Sequence, residues 1–359
     1  MKHELQAIIS GIKPVSQEWR LQAREYLQQL ATPPGSLGEL LVLAEQLAAI
    51  KETLKPSVRR KVIVTMAGDH GVVAEGVSAF PQEVTPQMVQ NFVRGGAGVN
   101  VLAEVAGAQV LVVDMGVAAD LTELAKENKI FSYRLGQGTA NMAQGPAMAR
   151  AQAEEALLSG IAVAGNLARD GVELIGTGDM GIGNTTPSSA ILAVISGRPV
   201  CEVTGRGTGI NDATLANKIR VIEQAIAINQ PDPHDPVDVL AKVGGFEIGG
   251  IAGVILGAAY HRVPVVIDGF ISSAGALLAK ALAPAAADYM IAAHRSQEYG
   301  HRFMLEELGL NPLLDLKLRL GEGTGAALAM NIVEAAAQVI NKVLTFAAAG
   351  VSGAEAPRK

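Results

Sequence analysis

Short runs of apolar and β-branched residues recur along the middle of this chain, and each run leads into a glycine-bearing turn and then into a stretch with helical spacing. The runs are nearly all apolar instead of alternating with polar positions, which is typical of strands buried on both faces of a sheet. Five such runs are present: Lys61–Met66, Gln109–Val113, Val172–Ile175, Val263–Ile267 and Tyr289–Ile291. Strands that alternate with helices predict an α/β fold with a parallel sheet, flanking helices and right-handed crossovers.

Both ends of the chain have helical spacing and contain no predicted strand. Residues 4–30 form the first helical stretch, residues 32–36 interrupt it, and residues 37–50 resume the pattern. Residues 323–346 predict a long last helix, so we expect the terminal helices to pair as a small helical unit beside the sheet. The predicted boundaries are 31–325 for a large α/β domain, 1–30 together with 326–350 for a small helical domain, and 351–359 for a tail.

Composition and charge narrow the class of protein. The chain has 359 residues, of which 49% are hydrophobic, so it is long enough to bury a large core. A net charge of -6 without an extended Lys/Arg cluster argues against a nucleic-acid partner. One cysteine, Cys201, excludes an intramolecular disulfide and a cysteine metal cluster. Residues 1–4 do not resemble a signal peptide and the apolar window 248–260 is too short to cross a bilayer, so we expect a soluble, cytoplasmic protein.

The first glycine-rich segment, Gly176–Thr186, is predicted at the carboxyl end of a strand, where open parallel sheets bind their ligands. Its backbone N–H groups and hydroxyls suit a phosphate at the start of the next helix. The residues expected to bind phosphate and ribose here are Gly178, Gly181, Gly183, Asn184 and Thr185. A purely structural strand-to-helix turn is the alternative. The segment is not a Walker A loop, because no Gly-Lys-Ser/Thr follows. Its Gly-x-Gly spacing is similar to a dinucleotide-binding loop, but the acidic residue expected after the second strand is not evident, so a nicotinamide-dependent oxidoreductase is a weaker alternative.

The second glycine-rich segment, Thr204–Ile210, precedes a helix that carries Lys218. Arg206, Gly207 and Lys218 are candidates for binding and neutralising a phosphate. The alternative for Lys218 is a solvated helix face, and the sequence alone does not decide between them.

The third segment, Leu318–Ala326, places Glu322 between two glycines at the start of the last helix. The alternative role is a negative charge that stabilises the amino end of the helix. Because the two neighbouring glycines have no side chains to cover it, the Glu322 carboxylate can also face a cleft. Desolvation there would raise its pKa and let it accept a proton.

Histidines supply further candidates. Asp69 and His70 follow a predicted strand and either contact substrate or bracket the loop. His294 and His301 are seven residues apart without carboxylates at metal-ligand spacing, so we expect no metal site.

Several separated motifs together resemble one known family, that of nicotinate-nucleotide–dimethylbenzimidazole phosphoribosyltransferase. The resemblance extends from Pro33 to about residue 340, and its motifs are Ala67–Gly71, Gly76–Gln82, Phe92–Asn100, Met180–Thr186, Val243–Ile248, Asp268–Ser273 and Leu320–Gly325. It implies a Rossmann-like parallel sheet, a small helical domain from both termini, and a homodimer. It also implies transfer of phosphoribose from nicotinate mononucleotide to 5,6-dimethylbenzimidazole, yielding α-ribazole 5′-phosphate and nicotinate in cobalamin biosynthesis, with no cofactor.

The resemblance also assigns residues. Glu322 corresponds to the catalytic glutamate and Lys218 to the phosphate-binding lysine, while the glycine loop at 181–183 lies against ribose and phosphate. Many members have Glu where this chain has Asp179, which keeps the carboxylate but shortens its reach. Asp179 is a candidate for favouring an oxocarbenium-like ribose. The walls expected around the flat base are Phe80, Gln87, Met88 and Leu320.

Two other classes of function stay open at this point. A protein that sequesters a nucleotide without turnover does not need a base such as Glu322. A nicotinamide-dependent oxidoreductase would change the absorbance of its cofactor.

Overall fold

The computed structural model describes residues 2–352 of the chain. One sheet of six parallel strands forms the centre, in the order β3-β2-β1-β4-β5-β6. The strands are β1 (Lys61–Gly68), β2 (Ala108–Gly116), β3 (Phe131–Ser132), β4 (Leu174–Met180), β5 (Val265–Ile267) and β6 (Met290–Ala292). The predicted parallel α/β fold is therefore confirmed.

Sixteen α-helices and two short 3₁₀ segments, Gly71–Glu75 and Pro284–Tyr289, surround the sheet within residues 2–352. The helices are α1 (Lys2–Gly11), α2 (Gln17–Leu27), α3 (Glu39–Lys51), α4 (Val84–Arg94), α5 (Gly98–Ala106), α6 (Thr122–Lys126), α7 (Arg150–Arg169), α8 (Thr185–Ser196), α9 (Val200–Val203), α10 (Asp212–Asn229), α11 (Pro236–Val243), α12 (Phe246–Tyr260), α13 (Phe270–Leu282), α14 (His301–Leu308), α15 (Thr324–Lys342) and α16 (Phe346–Ala349). None of them is long and apolar enough to cross a membrane.

Alternate residues of the central strand β1 pack into different layers. Val62, Val64 and Met66 belong to the core beneath α7, α12 and α13, whereas Ile63 and Ala67 belong to the core shared with α3, α5 and α15. This two-sided burial explains why the strand is a continuous apolar run instead of an alternating one.

The strand order reverses between β1 and β4, which lie side by side although two strands and several helices separate them in the chain. A reversal of this kind opens a crevice at the carboxyl ends of the two strands, because their connections leave toward opposite sides. The fold therefore directs the segments after Gly68 and Met180 toward one crevice.

Two local predictions are wrong. Residues 4–30 are not one helix, because Ile12–Ser16 separate α1 from α2 and contain Pro14, which has no N–H to donate. Gly176–Asp179 are not a turn but the last part of β4. The glycines there create room: a Cβ on Gly178 would lie only 2.6 Å from the carbonyl carbon of Glu322.

Helices from both termini meet in a small separate cluster. It joins α2, α3 and the second half of α15, and its buried residues are Ala23, Leu27, Leu30, Ala44, Ala48 and Ile340. The first helix packs elsewhere, since Leu5 belongs to the large core that contains α7 and α12. The boundaries of two domains at residues 30 and 325 stay a prediction, and residues 353–359 of the predicted tail lie outside the described residues.

Candidate functional site

A cavity of about 350 Å³ lies beyond the carboxyl ends of β4, β5 and β6. The loop before α4 and one face of α4 close one side, and the segment before α15 closes another. Its walls are formed by Phe80, Val84, Met88, Asp179, Met180, Gly181, Ile182, Asn184, Thr185, Gly207, Thr208, Gly269, Phe270, Ile271, His294, Ser296, Glu298, Arg319, Leu320, Gly321 and Glu322. Most of this surface is apolar, with a few carboxylates, so it suits a flat ligand that also carries polar groups.

Glu322 is held on the wall of this cavity by an uncommon backbone conformation. Its φ is +66°, in the left-handed region that side chains with a Cβ rarely adopt, and the flanking Gly321 and Gly323 also have positive φ. Main-chain contacts hold the conformation: Thr65 Oγ1 donates to the Glu322 carbonyl at 2.9 Å, and the Glu322 N–H donates to the Asp179 carbonyl at 3.2 Å. Such strain at a cavity is typical of functional positions.

The Glu322 carboxylate lies at the amino end of α5. Oε2 accepts a hydrogen bond from the Val99 N–H at 3.1 Å, and the side chain of the residue is nearly buried, with 6% of its surface exposed. Burial raises the pKa of Glu322 above 4.5, the nearby Asp268 raises it further, and the Val99 and Gly98 N–H groups oppose the shift. A carboxylate with a raised pKa is suited to accept a proton near neutral pH.

Asp268 anchors the start of α15 and thereby the segment that carries Glu322. It follows β5, and its two oxygens accept hydrogen bonds from the N–H groups of Gly323 and Ala326 at 3.2 and 2.9 Å. These are amino-terminal N–H groups of a helix, which have no partner within the helix itself.

Asp179, at the end of β4, is buried, with 5% of its surface exposed. Its Oδ2 accepts a hydrogen bond from Asn184 Nδ2 at 2.9 Å, while Oδ1 has no hydrogen-bond partner among residues 2–352. Burial, together with the charge of Asp268, raises the pKa of Asp179 well above 3.8, and the bond from Asn184 only partly opposes this. Two neighbouring carboxyl groups with different environments tend to divide the roles of acid and base.

Lys218 is fully buried beneath the cavity instead of solvated on its helix. Its Nζ donates to Thr185 Oγ1 at 2.6 Å, and a Cβ placed on Gly207 would lie 3.6 Å from Nζ. Burial lowers the pKa of Lys218 to about 8, although the charge of Glu298 acts to raise it. The ammonium group, the Thr185 hydroxyl and the loop at Gly207 thus converge at one end of the cavity, as phosphate ligands would.

The structure brings most of the predicted site residues to one place. The cavity walls include Phe80, Met88, Leu320, Asp179, Glu322, Gly181, Asn184, Thr185 and Gly207. Gly183 lies behind the wall and lines a small adjoining cavity of about 40 Å³. Gly178 lines neither cavity: it lies in β4, where it lets the Glu322 segment approach.

Gln87 and Arg206 do not line this cavity. Val84 and Met88 are one turn apart on α4 and line the cavity, whereas Gln87 is exposed and is not among the lining residues. Its contact with the base stays a prediction. The exposed guanidinium of Arg206 pairs with Asp212 and donates to the Ile210 carbonyl at 2.9 Å, on the side of the adjoining cavities.

Asp69 and His70 lie outside the cavity wall and bracket the loops behind it. Asp69 Oδ2 accepts the Ala118 N–H at 2.8 Å, and His70 Nε2 lies 2.8 Å from Glu247 Oε1. His301 is held neutral, because its Nδ1 accepts the Ser296 N–H at 2.8 Å and burial lowers its pKa to about 3. His294 faces the cavity, with Nε2 4.0 Å from Asp268 Oδ1.

Three further residues belong to this site and are not among the residues predicted from the sequence: Asp268, Glu298 and Arg319. Asp268 has a signal that was available, since it directly follows a predicted strand. Glu298 and Arg319 lie in irregular segments, and only the folded chain brings them to the same cavity wall as Gly207, whose carbonyl accepts a hydrogen bond from Arg319 Nη1 at 3.4 Å. Among residues 2–352 no group of three or more His, Cys, Asp or Glu side chains has an arrangement that would hold a metal ion.

The chain is similar to known proteins over nearly its whole length. A family model described as phosphoribosyltransferase matches residues 12–351. The nicotinate-nucleotide–dimethylbenzimidazole phosphoribosyltransferase of Geotalea uraniireducens is 56% identical over 351 residues, covering 98% of this chain and 99% of that protein. The enzyme of the same name from Syntrophotalea carbinolica is 57% identical over 348 residues, covering 97% and 98%. The crystal structure of CobT from Thermus thermophilus matches with a TM-score of 0.89 at 47% identity, covering 93% of this chain and 99% of that chain.

Proposed function

The chain belongs to the nicotinate-nucleotide–dimethylbenzimidazole phosphoribosyltransferase family, and from this premise we propose that it transfers phosphoribose from nicotinate mononucleotide to 5,6-dimethylbenzimidazole. The products are α-ribazole 5′-phosphate and nicotinate, and the reaction is a step of cobalamin biosynthesis. The observation that carries the proposal is the position of Glu322. Its carboxylate lies on the wall of an apolar cavity whose other end holds Lys218 and Thr185.

Glu322 acts as the general base. In the mononucleotide the nicotinate ring is a pyridinium. When the bond to C1′ breaks, the ring nitrogen takes the electron pair and becomes uncharged, so the departure of nicotinate needs no general acid. One benzimidazole nitrogen attacks C1′ of the ribose, and the proton on the other nitrogen becomes acidic as that bond forms. Glu322 accepts this proton, and attack on the face opposite the leaving group inverts the β-linkage to an α-linkage.

Asp179 favours the positive charge that develops on the ribose. In the free enzyme burial and the charge of Asp268 raise its pKa well above the usual value. A pyridinium nucleotide bound beside it lowers that pKa, because a nearby positive charge stabilises the ionised carboxylate. The bond from Asn184 Nδ2 holds the group in place during this change.

Lys218, Thr185 and the start of α8 hold the phosphate, while apolar side chains hold the base. Phe80, Met88 and Leu320 form the walls of a slot for the flat benzimidazole. Fixing both ends of the reacting pair converts the transfer into an effectively intramolecular step.

We also propose that the enzyme is a cytoplasmic homodimer. Val101 and Val105 lie one turn apart on α5 and are 58% and 69% exposed, which supports an apolar contact on that face. Light scattering on the purified protein at several concentrations tests the oligomeric state, and a mass of one chain throughout would contradict it.

The activity is tested by a product assay with nicotinate mononucleotide and 5,6-dimethylbenzimidazole, without NAD or metal. We expect nicotinate and α-ribazole phosphate in equal amounts. Glu322→Gln is expected to fold and to lose about 10²- to 10⁴-fold in kcat, the contribution typical of a general base. The matched control is Glu306→Gln, an exposed carboxylate on α14, which is expected to retain activity.

Two results would contradict the proposal. Near-normal turnover by folded Glu322→Gln would remove the assigned base. Tight binding of the nucleotide by the wild-type protein without any product would instead favour a sequestering protein.

A further inference from the structure

A buried histidine lies behind one wall of the cavity and takes no part in the proposed reaction. His301, the first residue of α14, is 1% exposed. Its Nδ1 accepts a hydrogen bond from the N–H of Ser296, a cavity-lining residue, at 2.8 Å. Its Nε2 lies 3.0 Å from Oγ of Ser273, a buried residue of α13. One ring nitrogen is therefore bound to the cavity wall and the other to the core behind it.

These two bonds fix the position of the proton on the ring. A ring nitrogen that accepts a main-chain N–H carries no proton, so the neutral ring has its proton on Nε2 and donates it to Ser273 Oγ. Burial, together with the neighbouring His294 and Arg295, lowers the pKa of His301 to about 3. A charged ring would set a second N–H against that of Ser296. Only the neutral ring with its proton on Nε2 is compatible with this arrangement.

The segment that His301 holds is a short turn in the cavity wall. Ser296 and Glu298 both line the cavity, and Ser296 Oγ accepts the Glu298 N–H at 3.2 Å, which closes the turn. Because the Ser296 N–H is bonded to the ring, α14 and α13 fix the place of this turn relative to the rest of the fold.

The turn packs directly on the loop that carries Gly207. A Cβ on Gly205 would lie 3.1 Å from the Tyr299 nitrogen, and a Cβ on Gly300 would collide with the Val203 carbonyl oxygen. The two segments are therefore in backbone contact, without side chains between them. Backbones packed this closely do not move independently, so a shift of the turn displaces the loop.

The same loop meets the phosphate end of the cavity on its other side. A Cβ on Gly207 would lie 2.9 Å from Thr185 Oγ1 and 3.6 Å from Lys218 Nζ. The Lys218 ammonium group in turn donates to the Thr185 hydroxyl at 2.6 Å. A continuous path of contacts thus connects the His301 ring with the groups proposed to hold the phosphate.

We propose that His301 is a positioning residue: as a neutral ring with its proton on Nε2, it fixes the turn at Ser296 and, through this turn, the Gly207 loop at the phosphate end of the cavity. The inference rests on the proposed function, because that function places the substrate's phosphate beside Lys218 and Thr185. His301 touches no substrate and exchanges no proton in the reaction. Its effect is on the affinity for the phosphate group.

Two substitutions separate the two bonds of the ring. In His301→Asn the side-chain oxygen takes the place of Nδ1 and can still accept the Ser296 N–H. In His301→Gln the amide reaches the place of Nε2, beside Ser273, and leaves the Ser296 N–H without an acceptor. Glu306→Gln, an exposed position on the same helix, is the matched control.

Calorimetry measures the dissociation constants of α-ribazole 5′-phosphate and of α-ribazole, which lacks the phosphate. We expect His301→Gln to weaken binding of the phosphorylated ligand about tenfold, the size of one lost hydrogen bond to a charged group. Its affinity for α-ribazole should not change. His301→Asn and Glu306→Gln should bind both ligands as the wild-type protein does.

A second measurement uses the wild-type protein alone and does not depend on the folding of a variant. Nitrogen-15 NMR of the histidine rings distinguishes protonated from unprotonated ring nitrogens, and coupling across the hydrogen bond to the Ser296 amide assigns the His301 signals. We expect an unprotonated Nδ1 and a protonated Nε2 down to about pH 5, where an exposed histidine is charged.

Three outcomes would overturn the inference. One is equal weakening of both ligands by His301→Gln, or of neither, since a merely structural residue would not act on the phosphate alone. Another is a loss of phosphate affinity in His301→Asn as large as that in His301→Gln. The third is a wild-type ring with a proton on Nδ1. Failure of the proposed function is separate, because it shows as absence of α-ribazole phosphate in the product assay.

Discussion

Replacing Gly178 by alanine tests how closely the fold positions the proposed base. Gly178 lies in β4, and an added Cβ would be 2.6 Å from the carbonyl carbon of Glu322 and 2.9 Å from the Gly323 nitrogen. Ordinary contacts of a Cβ begin near 3.4 Å, so backbone must move by about 1 Å. The strand is paired on both sides by β1 and β5, so the Glu322 segment is the part that moves.

The expected cost of Gly178→Ala has two components. Overpacking a buried site lowers the free energy of unfolding by about 1–3 kcal/mol. A displacement of about 1 Å at a catalytic group lowers kcat on the order of 10²-fold. Product formation measures the second component, and thermal or denaturant unfolding measures the first.

Gly176→Ala is the matched control, two residues earlier on the same face of β4. A Cβ there would meet Met330 Cε at 2.8 Å, the end of a flexible side chain, and Ala326 Cβ at 3.2 Å. We expect a loss of stability but kcat within a few-fold of wild type. A folded Gly178→Ala protein with wild-type kcat, or equal loss of kcat in both variants, would refute the argument that Gly178 positions Glu322.

Three further predictions follow from the site. The value of kcat/KM should fall at acid pH, where Glu322 gains a proton at a pKa raised above 4.5. It should also fall at alkaline pH, near pH 8, where Lys218 loses its charge. A flat pH profile through pH 8 would contradict the buried position of Lys218. Asp268→Ala should lower the free energy of unfolding by about 3 kcal/mol, since two buried N–H groups lose their acceptor, and Asp268→Asn by less; denaturant titration measures both. Met88→Ala should raise KM for the benzimidazole about tenfold through lost apolar contact. Gln87→Ala should leave KM unchanged, because this exposed residue does not line the cavity. Equal effects of the two substitutions would contradict the position of Met88 in the cavity wall.

The backbone of the site combines strain with anchoring. Glu322 has a left-handed backbone, and Thr65, Asp179 and Asp268 all bind main-chain atoms of residues 322 and 323. Several contacts from different strands are needed to hold one strained residue, because each alone contributes only about 1 kcal/mol. This is how the proposed base, on an irregular segment, acquires a defined position at the rim of the sheet.

The apolar runs predict the strands better than the glycines predict the turns. The buried runs marked five strands correctly, since burial on both faces requires continuous apolar residues. The two-residue strand β3 carries no such signal and was missed. Gly176 and Gly178 were interpreted as a turn because glycine usually marks one, whereas here the missing side chains make room for α15 and Glu322.

The amino-acid sequence by itself determined the fold class, the buried strands and the family, and it supplied the residues proposed to carry the chemistry, including Glu322, Asp179 and Lys218. These follow from local patterns and from motifs that are contiguous in the chain. Only the tertiary structure decided that Lys218 is buried, that Met88 and not Gln87 lines the cavity, and that Gly207, Glu298 and Arg319 lie in one cavity wall. The physical reason is that burial, charge neighbours and helix orientation depend on segments far apart in the chain, which come together only when the sheet forms.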